Sequence, residues 1–168
     1  MRKLLDRLYD ATAGLAAVCM IGVLVMVLLS VLGRLLHFHL PGTDAYAGYA
    51  MAGAGFLALA HTFRRNEHIR VTLLLGRLQG QAREWMELWA LTAGAALSGL
   101  FAFYALRLVW QSHEFNDVSM GNDATPLWIP QIPMALGSCV LFIALLDDWV
   151  MALRGKRRVV QAQENRHE

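Results

Sequence analysis

The side chains able to do chemistry are few and unevenly placed. The chain has six histidines: His37 and His39, His61 and His68, His113, and His167. A haem site inside a helical bundle needs two histidines facing each other across it. These six fall near the ends of apolar stretches or outside them, so no haem is expected. His37 and His39 with Asp44 would offer nitrogen and oxygen ligands to a metal, but an H-x-H pair alone is a weak signal and loop solvation accounts for it. Cys19 and Cys139 both lie within apolar stretches, where cysteine serves as a small packing residue. No catalytic residues, cofactor or metal are expected.

The elements that must position these residues are set by the charges. All 15 Lys and Arg and all 13 Asp and Glu lie outside four stretches, 11–33, 45–63, 88–106 and 125–146, which hold 83 of the 168 residues. As helices these would rise about 28 to 35 Å, matching a hydrocarbon core of about 30 Å. The fold expected is therefore all-α and integral to a membrane, one four-span domain over residues 1–153 with a polar tail over 154–168. This pattern excludes a soluble enzyme, a disulfide-rich secreted domain and a disordered chain, and it leaves little room for the basic face that nucleic-acid binding requires. The first stretch is too long for a signal-peptide core and ends without an A-x-A-like site, so a retained helix is expected.

Lys and Arg number three before the first stretch, one in 34–44, five in 64–87, one in 107–124 and five after 146. Placing the rich segments in the cytoplasm puts 13 of the 15 inside and predicts that both termini are cytoplasmic. Trp85, Trp89, Trp110, Trp128 and Trp149 all fall at stretch ends, as an aromatic belt requires. In 64–87, Val71, Leu74, Leu75 and Leu78 recur at helical spacing. Two readings fit: a short amphipathic helix over 71–79 in the inner interface with a bend near Gly80, or an early extension of the third span.

Small residues spaced by four, Gly48 with Ala52, Ala50 with Ala54 and Ala58, Gly94 with Ser98, and Ala95 with Gly99, would let helices approach closely, which in lipid is the main source of association. In the fourth stretch, T-P-L-W-I-P-Q-I-P, Thr125 is expected as the cap and Pro126 at the first position. Pro130 and Pro133 are expected to remove backbone donors and kink the outer half, with Gln131 placed to help. None of the four stretches carries a mid-depth charge of the kind that marks an ion path, and His61 sits within a turn of the inner surface.

Two segments resemble a known family. A-H-T-F-R-R-N-E-H-I-R-V-T-L-L (60–74) resembles the R-R-x-x-H-(I/V)-R-V-(D)-L-(L) stretch of the small membrane subunits of TRAP transporters, the DctQ type. P-L-W-I-P-Q-I-P-M-A-L-G (126–137) resembles that family's P-x-W-(I/L)-P-x-x-x-(I/M)-P-x-G stretch. Length, span number and orientation agree with it. The resemblance implies a subunit of a three-component importer in the bacterial inner membrane. A periplasmic solute-binding protein captures an organic acid, a large permease subunit moves it with sodium, and the small subunit enlarges the fixed scaffold and offers periplasmic surface to the binding protein. Arg64, Arg65, Glu67, His68 and Arg70 match the inner motif; Pro126, Trp128, Pro130 and Gly137 match the outer one. The arginines would meet lipid phosphates or acidic groups of the large subunit, although topology signalling alone also explains them. Thr72 stands where an Asp is common, and the loop H-F-H-L-P-G-T-D-A-Y lacks the Trp and paired Glu often found there, leaving Asp44 as the candidate acid. The rival reading is a haem-free membrane anchor of a redox complex.

Overall fold

The computed structural model describes residues 2–38, 40–64, 81–121 and 123–154. Among them are four helices and no strand: α1 (Arg2–Leu35), α2 (Thr43–Arg64), α3 (Gln81–Glu114) and α4 (Trp128–Leu153). Each uncharged stretch except the fourth lies wholly inside one helix; the fourth begins three residues before α4. The candidate interfacial helix over 71–79 and the tail beyond Arg154 lie outside the described residues. α1, α3 and α4 are long and apolar enough to cross a membrane. α2 is not among them, although its 22 residues suffice in length, because three glycines, two tyrosines and His61 lower its apolar character.

Successive helices run in opposite directions, so the start of α1 and the end of α4 lie at one end of the bundle and the loops 36–42 and 115–127 at the other. Near the chain ends His61 of α2 faces Asp10 of α1 across 3.8 Å, and at the loop end the Ser30 hydroxyl donates to Asp44 at 3.2 Å. At the chain-terminal end the Trp149 indole N–H donates to Thr92 Oγ1 at 2.9 Å, and at the loop end His113 meets the Trp128 ring edge-on with centroids 5.4 Å apart. The main contacts are α1 with α2, α2 with α4, and α3 with α4. α2 and α4 thus form the centre, with α1 and α3 on either side. Only 6% of the apolar window of α1 is buried, against 28% of that of α4, which marks α1 as an edge helix.

The centre is held by near contact of backbones. α2 and α4 run parallel and cross at Gly137, where a Cβ would collide with the Phe56 carbonyl and stand 2.9 Å from the Leu57 nitrogen. One turn away, a Cβ on Gly53 would stand 3.2 Å from the Pro133 ring and 3.4 Å from Cys19 Sγ. The interior is correspondingly small-grained: Ala16, Ala54, Ala60, Ala95, Ala102, Ala105, Ala135 and Ala144 are buried, and Tyr9 is the one large side chain fully so among the described residues. The buried hydroxyls of Thr12, Ser98 and Ser138 return to carbonyls three residues back in their own helices. Of the small-residue stripes, Ala54 is buried and Ala50 faces Gly22, while Gly48 looks onto open space. Gly94 and Gly99 both meet α4, at Leu145 and Phe142.

The start of α4 corrects three expectations. Thr125 does not cap it and Pro126 is not its first residue: the helix begins at Trp128, and Leu127 occupies the cap position without a side-chain bond. Pro130 therefore falls in the first turn, whose N–H groups have no helical acceptor in any case, and removes nothing. Pro133 is the one proline inside the helix, with its ring against Gly53.

Gly137→Ala should lower stability by about 1–3 kcal/mol, because the added methyl has backbone on the facing side and cannot be accommodated by a rotamer change. Gly48→Ala, with no atom within 4 Å of the new Cβ, should leave it nearly unchanged. Thermal melts of both variants in mild detergent check the pair, and equal shifts would refute the crossing.

Candidate functional site

The loop-bearing end holds the densest set of polar contacts among the described residues. It begins with two helix ends that turn back on themselves. α1 closes with His37 in the left-handed region (φ 60°) and the Phe38 N–H bonded to the Gly33 carbonyl at 3.0 Å. α3 closes the same way, with Asn116 at φ 52° and the Asp117 N–H bonded to the Ser112 carbonyl at 3.0 Å. Both satisfy carbonyls that a helix end leaves open.

Past Asn116 the chain forms a narrow loop. The Ser119 N–H bonds the Thr125 carbonyl at 2.8 Å, the Leu127 N–H bonds the Asp117 carbonyl at 2.9 Å, and Val118 pairs antiparallel with Pro126. Side chains then fasten this loop to α2. Ser119 Oγ donates to Asp123 Oδ1 at 2.8 Å, and the Tyr49 hydroxyl lies 3.0 Å from both Ser119 Oγ and Asp123 Oδ2. Thr125 Oγ1 donates to the Tyr46 hydroxyl at 3.0 Å, and the Tyr46 and Tyr49 rings pack edge to face at 6.1 Å. Gly42, at φ 85°, sits against Asp123: a Cβ there would stand 2.9 Å from the Asp123 Cβ, so the α1–α2 turn needs glycine twice over. Partial burial pushes the Asp123 carboxyl up, but hydrogen bonds to it, foremost from Ser119 and also from Tyr49, outweigh it and hold it below its ordinary value.

Beside this clasp a groove of about 510 Å³ runs between α1 and α2, lined by Ser30, Arg34, His37, Phe38 and Asp44 among others. Of the residues singled out in the sequence, Asp44, Pro126, Trp128 and Pro130 all lie at this end, linked through the Tyr46–Thr125 bond. Asp44 holds Ser30, Pro126 pairs with Val118, and Trp128 rests on His113. Gly137 lies apart from them, inside the α2/α4 crossing. Arg64 ends α2 at the opposite end, while Arg65, Glu67, His68 and Arg70 lie outside the described residues, as does His39. Among the described residues no three His, Cys, Asp or Glu side chains converge as a metal site would require.

Tyr49, Ser119, Asp123 and Thr125 were not expected as a group. The one signal in the chain is that Tyr46 and Tyr49 are three apart, hence on one helix face, while Ser119 and Asp123 are four apart in a short loop. Nothing local says that the two pairs meet.

The family model described as "Tripartite ATP-independent periplasmic transporters, DctQ component" matches residues 23–155, well over half of the chain. No curated protein matches it.

A carboxyl whose value is lower in the fold than in the open chain stabilises the fold above the ordinary carboxylate range, and loses that contribution as pH falls through the folded-state value. Asp123→Asn should therefore lower the melting temperature at neutral pH, and the difference from the parent chain should shrink once pH drops below about 4. Melting curves across pH read this directly; a difference independent of pH would show that the clasp does not depend on the ionised form.

Proposed function

The chain belongs to the DctQ component family of tripartite ATP-independent periplasmic transporters, and from that premise we propose that it is a scaffold rather than a conduit. It crosses the bacterial inner membrane four times with both termini in the cytoplasm, supports the large permease subunit, and helps dock the periplasmic solute-binding protein for sodium-coupled import of a carboxylate-bearing solute. The observation that carries this reading is the charge-free interior: 83 residues in four stretches contain no Asp, Glu, Lys or Arg. A subunit that moved an ion or an organic acid by itself would need a charged or strongly polar group at mid-depth. His61 and Asp10, which face each other at 3.8 Å, are at the chain-terminal end instead.

In this reading α2 crosses the membrane although its own hydropathy is modest. It is sheltered between α1 and α4, so lipid meets only part of its surface. The exposed apolar side chains of α1, among them Leu15, Val18, Ile21, Leu24 and Leu28, supply area for the large subunit. The sequence run that carries Arg64, Arg65, Glu67, His68 and Arg70 is assigned to the cytoplasmic side, where these residues would meet lipid phosphates or acidic groups of that subunit. Asp44, Pro126, Trp128 and Pro130, held in place by the clasp, belong to the periplasmic surface.

Affinity purification through a tag on this chain, after co-expression with the neighbouring membrane and secreted components, should bring down a much larger polytopic protein. Recovery of the chain as a monodisperse monomer without that partner would overturn the proposal. Reporter fusions after Arg154 and within residues 112–121 should report cytoplasm and periplasm respectively; the reverse pattern would refute the orientation.

A further inference from the structure

A second groove, of about 420 Å³, opens between α3 and α4 on the outside of the bundle, lined by Phe101, Tyr104, Ala105, Leu108 and Met134 with Arg107 and Gln111 toward the loop end. Its form is one-sided. Phe101 stacks on Phe56 of α2 at 5.8 Å with the rings nearly parallel, at the end deepest in the bundle. Ala105 is buried and Met134 partly so, while Phe101, Tyr104 and Leu108 stand about half exposed as walls. From Phe101 to the end of the uncharged stretch at Leu106 the helix climbs about 8 Å. The groove is therefore apolar over the part that lies within the hydrocarbon and polar beyond it, at Arg107 and Gln111.

Arg107 supplies the second observation. It is the first charge after the uncharged stretch of α3 and lies one turn inward of Trp110, at the depth where hydrocarbon gives way to headgroups. Among the described residues it forms no ion pair, although Glu114, Asp117 and Asp123 are all at the same end. An exposed guanidinium at that depth extends outward and needs an anionic acceptor, and a phosphodiester suits its fork of donors.

We propose that the α3–α4 groove holds one acyl chain of a membrane phospholipid whose phosphate is bound by Arg107 and Gln111. The inference does not depend on the transporter reading, since it requires only that α3 cross a bilayer.

Native mass spectrometry of the full chain, released from mild detergent with phosphatidylglycerol added, tests it. The parent chain should retain one phospholipid. Arg107→Gln should weaken retention about tenfold, the size of one charge-assisted contact. Leu108→Trp, which fills the groove from an exposed wall and keeps Arg107, should also lose the lipid. Arg34→Gln, at the same end but outside the groove, should keep it. Equal retention by the parent chain, Arg107→Gln and Leu108→Trp, or equal loss in Arg34→Gln, would overturn the proposal. So would a Leu108→Cys variant that cross-links to another protein chain rather than to a photoactivatable phospholipid.

Discussion

The arrangement of this chain depends on one contact, the approach of the α4 backbone at Gly137 to the α2 backbone at Phe56 and Leu57. In an up-and-down four-helix bundle, α2 and α4 would stand at opposite corners. Here they touch, and the bundle is flattened around them. α1 is left packed mainly on α2, and α3 mainly on α4. Lipid offers no hydrophobic drive to gather helices, so such a geometry persists only where small residues allow close van der Waals contact. Gly53, Ala60, Ala135, Gly137 and Ala144 provide it along the shared faces, and the Pro133 ring fits against the gap that Gly53 leaves.

Flattening has a functional side. A closed bundle would turn most of its small-residue and apolar faces inward. This one leaves α1 exposed along nearly its whole length and gathers most side-chain hydrogen bonds between helices at its ends. Trp149 with Thr92 and His61 with Asp10 lie at one end; Tyr46, Tyr49, Ser119, Asp123 and Thr125 lie at the other. Between them is a span with little polar machinery but much surface. That suits a component whose work is to be adjacent to something else, with the 115–127 loop tied to α2 by the clasp.

Much of the helical framework was legible in the chain itself, because uncharged runs of 19 to 23 residues mark helices almost regardless of what packs on them. α1 and α3 then extend past those runs, to 34 residues each, since charged residues at a helix end cost nothing once it leaves the hydrocarbon. The pairing was not legible. Gly137 stood out only as part of a motif, and its role appears when α2, some 80 residues earlier in the chain, is brought against it. The outer clasp was hidden for the same reason: the Tyr49–Asp123 bond spans 74 residues, and no local periodicity encodes it. The proline-rich start of α4 departs from expectation because a proline's cost depends on where the helix begins. Two residues' displacement of that start turns Pro130 from a kink into an ordinary first-turn residue.

In the proposed role this chain supports transport without carrying it out. The most direct measurement is solute uptake into sealed vesicles under an inward sodium gradient, with this chain alone and with the large permease and binding protein present. The account predicts uptake only when the other components are there, and none above empty vesicles for this chain by itself. Sodium-driven uptake by the chain alone would contradict it.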